Sequence, residues 1–149
     1  MDCQRSLLVF AFFLYFFTPI YGFMGATSLA TCYSAFKGAH HLLYHYGTLL
    51  FMVALAFPYT SLTNMSKVFV TLAVSYTAVA NFLAYATIAA TGEGNEILAG
   101  HKGGQWKDLP LGDSSPVSQA LLMSCSVSIP AMLLLVFGLA CSKRKPKSD

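Results

Sequence analysis

Three histidines stand close together in the stretch AHHLLYHYG, at His40, His41 and His45. Imidazole binds metals and exchanges protons near neutral pH, and here it opens a long hydrophobic run. On a helix, successive residues are ~100° apart, so His40, Tyr44 and Gly47 share one face. His41 and His45 share a neighbouring face, with His45 roughly 140° from His40. The three rings therefore do not converge on one ion. The spacing of His41 and His45 suits two nitrogens on one metal, but no carboxylate within the apolar segments offers a third ligand. For that pair the sequence favours residence at the membrane interface, bonding water and headgroups.

A second polar pair lies downstream. In VANFLAYAT, Asn81 and Tyr85 are four residues apart and share a helix face. An Asn amide at membrane depth must find a hydrogen-bond partner, either a neighbouring helix or a bound ligand. On the residues alone, a tie between helices is the more economical of the two. A pocket of His40, Asn81 and Tyr85 is the sharper alternative, and the residues do not choose a reaction for it.

The elements that position these groups follow from composition. The chain has 149 residues, of which 56% are hydrophobic and only 10% charged, with a mean hydropathy of +0.59. Soluble domains carry about 25% charged residues, so this chain has too little polar surface to face water on all sides. Four segments are long enough to cross ~30 Å of hydrocarbon as helices: residues 7–25, 39–57, 67–91 and 117–141. The expected fold is all-α, a single four-transmembrane-helix bundle. Pro19 and Pro130 fall inside spans, where neighbouring helices can satisfy the freed carbonyls, so kinks are expected there rather than ends. Arg5 followed by an apolar core and GFMGATSLA also has the features of a cleavable signal peptide. The apolar run continues past Pro19 through Met24, which favours a retained first helix.

Charge sets the expected topology. Arg5, Lys67, Lys143, Arg144, Lys145 and Lys147 lie on one side of the four spans, against Lys37, Lys102 and Lys107 on the other. The excess puts both termini in the cytoplasm, with the basic tail 142–149 beside the membrane. That tail reads as a membrane-proximal anchor and not a nucleic-acid patch. The outer loop, 92–116, holds four of the six acids and the only Trp, Trp106, expected at headgroup level. It reads equally as a lid over a pocket or as a solvated linker. The sequon at Asn64 would face the cytoplasm and stay unused. Cys3, Cys32, Cys125 and Cys141 show no metal-binding or disulfide spacing. Cys141, just before the basic tail, is placed where S-palmitoylation occurs.

The order and spacing of these motifs resemble the hydroxylaminobenzene mutase and styrene oxide isomerase family of small four-helix membrane isomerases. The matching elements are Ala39-His40 with Gly47 seven residues after the His, Pro58 after the second span, Ala80-Asn81 with Tyr85, and the Gly-rich loop leading into SPVSQALL. The His-to-Asn interval fits without a gap, and the likeness runs from the first span to the fourth. It implies that His40 is the axial ligand of a haem b held between subunits of a trimer. The ferric iron would act as a Lewis acid on an epoxide oxygen, giving an aldehyde, or in the mutase branch a hydroxylaminoarene would become an aminophenol. Asn81 and Tyr85 would orient the substrate oxygen, with Tyr44, Tyr46 and Gly47 in the pocket. The small residues Ser75, Ala78, Ala80, Ala84 and Ala86 on the third span permit the close helix approach of a homo-oligomer.

Two positions depart from that pattern. Both branches have Asn just before the Gly, where this chain has Tyr46, and the mutase branch has an acid where Leu42 stands. A pocket amide has become a phenol, which bears on substrate scope and turnover. The competing function class is therefore a non-catalytic four-span scaffold or assembly protein that keeps the family fold. A bis-His electron carrier fits poorly, since the other three spans contain no histidine. An ion or proton transporter lacks the intramembrane charges of a relay.

Overall fold

The structure, a computed structural model, describes residues 2–26, 31–94 and 115–142. It is all-α, with four spans long and apolar enough to cross a membrane, and no strand among the described residues. Helix α1 runs Cys3–Ala26, α2 Tyr33–Ala56 and α3 Asn64–Thr91. The fourth span is two helices, α4 Pro116–Ser124 and α5 Ser128–Ala140, joined by a 3-10 turn over Cys125–Val127. The first three begin before the expected spans, α2 by six residues and α3 by three. The Gly-rich outer loop beyond Gly94, with Trp106, and the basic tail beyond Ser142 lie outside the described residues.

Each helix boundary has a local cause. Thr63 caps α3, its hydroxyl accepting from the Ser66 amide at 3.2 Å, as N-cap threonines do. At the other end Gly92 takes φ +72° and its amide closes on the Ile88 carbonyl, the left-handed stop that glycine adopts without steric cost. The last carbonyls of α3 are satisfied by the chain entering α2. Thr31 and Cys32 donate their amides to Ala89 at 2.8 and 3.1 Å, and the Thr31 hydroxyl bonds Ala90 at 2.9 Å. This clasp fixes the level at which α2 starts, and with it the height of His40. At the opposite end, Ser61 donates both its amide and its hydroxyl to the Gly138 carbonyl, and Leu62 packs where a Cβ on Gly138 would sit.

The two intramembrane prolines behave differently. Helix α1 continues unbroken through Pro19. Pro130 lies in α5, just past the 3-10 turn that divides the fourth span. Its missing N–H removes the usual donor to the Ser126 carbonyl, and the backbone tightens over that stretch. The Ser128 hydroxyl bonds the Cys125 carbonyl at 2.8 Å, supplying a partner next to the break. Threonine hydroxyls in the spans are disposed of similarly, Thr18, Thr48, Thr71, Thr77 and Thr87 each bonding the carbonyl four residues back.

Helix α1 packs along α2 and touches α3, α2 packs along α3, and the fourth span packs on the other side of α3. Leu7, Ala11, Leu14 and Tyr21 make α1 part of the core. Half of the α3 span is buried, against 11% of the fourth. The third span is the spine of the bundle, and the fourth leaves most of its Leu, Val and Phe side chains exposed.

Candidate functional site

Helix α2 presents different groups to its two neighbours. Toward α1, the His40 ring lies against Gly22: a Cβ added there would fall 2.9 Å from His40 Cε1 and 3.2 Å from Nδ1. Two turns on, Gly47 is buried against the Tyr15 ring and the Ala11 carbonyl. The Tyr15 hydroxyl bonds Thr48 at 2.7 Å, and the Tyr15 ring meets Tyr44 edge-on at 5.6 Å. His40, Tyr44 and Gly47 thus share the face that their spacing predicts, and that face meets α1.

Toward α3, Tyr46 and Asn81 bond each other, the amide donating to the phenol oxygen at 2.5 Å. Tyr85, one turn on from Asn81, is buried. The same face of α3 carries Thr77, whose hydroxyl and carbonyl meet Cys125 at the break in the fourth span. A polar seam therefore runs from α2 across α3 to the fourth span.

The sequence reading did not single out the aromatic side chains that lie among the first three helices. Tyr21 of α1 stacks on Phe36 of α2 at 4.5 Å and meets Phe82 of α3 edge-on at 5.1 Å, with Phe17 against Phe82 at 6.0 Å. Such offset and edge-on pairs are the favoured arrangements of aromatic rings. The signal was adjacency: Tyr21 precedes Gly22, Phe36 is one turn before His40, and Phe82 follows Asn81.

Among the described residues, one buried side-chain polar atom has no hydrogen-bond partner, His40 Nδ1. Buried polar atoms are nearly always paired, so an orphan calls for an explanation. No other His, Cys, Asp or Glu among the described residues joins it in a group of three. Its nearest imidazole neighbour is His41, whose ring meets the His40 ring edge-on with centroids 5.9 Å apart. His41 and His45 are exposed on another face, their rings 6.4 Å apart. Because α2 begins at Tyr33, both lie in its third and fourth turns, deeper than the first two turns where the sequence reading put them.

No family model, curated protein or solved structure matches this chain.

The site therefore rests on its own geometry. The positions named from the sequence fall into two sets, His40, Tyr44 and Gly47 against α1, and Tyr46, Asn81 and Tyr85 between α2 and α3. Tyr44 is half exposed at the edge of the first set, and Gly47 is a point of close helix contact with no open space beside it. A cleft of about 420 Å³ lies elsewhere, at the end of the bundle where α1 and α3 begin. It is lined by Phe57, which is seventeen residues from His40 or ~25 Å along a helix.

Proposed function

We propose that this chain is an integral-membrane isomerase of small aromatic epoxides or hydroxylaminoarenes, with His40 holding a haem b. The observation that carries the reading is the His40 Nδ1, a buried imidazole nitrogen that no group among the described residues engages. Gly22 supports it, since any side chain there would occupy the space of the ring. His40 would hold the group through an imidazole nitrogen. When bound, the ferric iron supplies Lewis acidity toward a C–O or N–O oxygen, with no net redox change.

The chain's own residues would then bind and orient. Tyr21, Phe36 and Phe82, packed on one another among the first three helices, would be the aromatic neighbours of a bound aromatic ring. Tyr85 and the Tyr46–Asn81 pair would supply hydroxyl and amide groups to a substrate oxygen. With no charged side chain at these positions, an oxygen that gains charge is stabilised by preorganised dipoles alone, which are strong in a dry site. Both termini facing the cytoplasm, and a homo-oligomer such as a trimer completing the haem site, belong to the same proposal. The Lys and Arg distribution supports the orientation.

A second reading has one observation of its own. The Tyr46–Asn81 bond uses the intramembrane amide as a tie between α2 and α3, as a scaffold protein would. Activity separates the two readings. Haem-supplemented membranes given styrene oxide or a hydroxylaminoarene should form aldehyde or aminophenol. Membranes that bind haem but convert neither, while Tyr46→Asn converts one, would mark a scaffold that lost turnover at this position.

A further inference from the structure

The cleft of about 420 Å³ at the end of the bundle where α1 and α3 begin has a lining unlike the rest of the surface. Asp2, just ahead of α1, and Lys67 of α3 both line it, together with Gln4 and Asn64. Its apolar lining is Phe57, Pro58, Met65 and Val68, with Cys3 buried beside them. Among the described residues, Asp2 and Lys67 form no ion pair with each other or with any other group. Among the described residues the Asp2 carboxylate caps only the Arg5 amide, at 3.2 Å, and no hydrogen bond engages the Gln4 or Asn64 side chain. Opposite charges that share a small cleft without meeting leave a gap that a group carrying both charges would bridge.

We propose that this cleft binds the headgroup of a zwitterionic phospholipid bearing a primary ammonium, as in phosphatidylethanolamine. Lys67 takes the phosphate. Asp2, with the amide oxygens of Gln4 and Asn64, accepts the ammonium N–H groups. A quaternary ammonium has no N–H to donate, so phosphatidylcholine satisfies only half of the site. An anionic headgroup gains Lys67 but faces Asp2. The lipid, rather than a soluble zwitterion, is favoured by position: the cleft lies at the end of apolar spans, and its lining continues into the exposed Met65 and Phe69 side chains. Acyl chains can follow that surface into the bilayer.

The test is native mass spectrometry of the full chain in mild detergent, titrated with phosphatidylethanolamine and phosphatidylcholine of identical acyl chains. The wild type should carry about two- to five-fold more ethanolamine lipid, the effect of one partly exposed charge pair. Asp2→Asn, which keeps a good N-cap for α1, should erase that preference. Lys67→Gln should lower binding of both lipids. Soluble glycerophosphoethanolamine should fail to compete at equal concentration. No preference in the wild type, or a preference unchanged in Asp2→Asn and Lys67→Gln, overturns the proposal. Equal competition by the soluble headgroup overturns the lipid as its source.

Discussion

Gly22 and His40 face each other across the α1–α2 contact, so closely that a methyl group on Gly22 would lie 2.9 Å from the imidazole Cε1. Backbone conformation does not demand glycine here, since Gly22 lies inside a regular helix. What requires it is the ring. Gly22→Ala should therefore leave the helix intact, alanine being the better helix former, yet displace His40. Haem content of the purified variant should fall well below that of wild type while far-UV circular dichroism is unchanged. Equal haem content in both would separate Gly22 from the site.

Tyr46 and Asn81 should be energetically coupled. Interhelical hydrogen bonds in membranes contribute about 0.6 kcal/mol on average and up to about 1.7. A double-mutant cycle with Tyr46→Phe and Asn81→Ala, read by unfolding in detergent, should give a coupling energy in that range. Additive effects would mean that the two side chains do not depend on each other.

Tyr85→Phe removes only a hydroxyl from a buried ring. Haem content should persist. If the phenol orients substrate oxygen, turnover should fall by ~10²–10³, as for loss of one preorganised donor. Full activity in this variant would remove Tyr85 from the catalytic set.

The clasp between α3 and the entry to α2 gives a stability prediction. Gly92 has φ +72°, and a Cβ there would meet the Thr31 methyl at 2.8 Å. Gly92→Ala should cost about 1–2 kcal/mol from the left-handed backbone, plus the displacement of Thr31. Thermal unfolding in detergent measures it, and an unchanged midpoint would argue against the clasp.

For orientation, the structure redirects the choice of probe. Cys3 is buried, so its protection from an impermeant thiol reagent would say nothing about sidedness. Tyr59 is 72% exposed at the same end of the bundle. Tyr59→Cys should resist labelling in intact cells and react after permeabilisation, whereas Ala90→Cys at the other end should react in both. The reverse pattern would invert the topology.

The four spans were legible because ~20-residue apolar runs have few alternatives. The face shared by His40, Tyr44 and Gly47 was legible because helical periodicity fixes it. The early start of α2 was not, since its first six residues, Tyr33 to Gly38, include Ser34 and Lys37 and look like loop. Thr31 and Cys32 commit them to helix by closing on the end of α3, a contact nearly sixty residues away in sequence. The Tyr46–Asn81 bond was similarly hidden. Asn81 was visible as a polar group at depth and Tyr46 as the phenol in place of the family Asn, but their meeting depends on how α2 and α3 are rotated. The split of the fourth span was half legible: Pro130 signalled a disturbance, and the 3-10 turn lies one turn before it.

The most direct test of the account is the visible absorption spectrum of the purified, haem-supplemented protein and its histidine variants. The wild type should show a Soret band that His40→Ala abolishes, together with any isomerase activity. His41→Ala and His45→Ala, altering exposed rings on another face, should leave the band nearly intact. A band that survives in His40→Ala but disappears in His41→Ala or His45→Ala would contradict the assignment of His40.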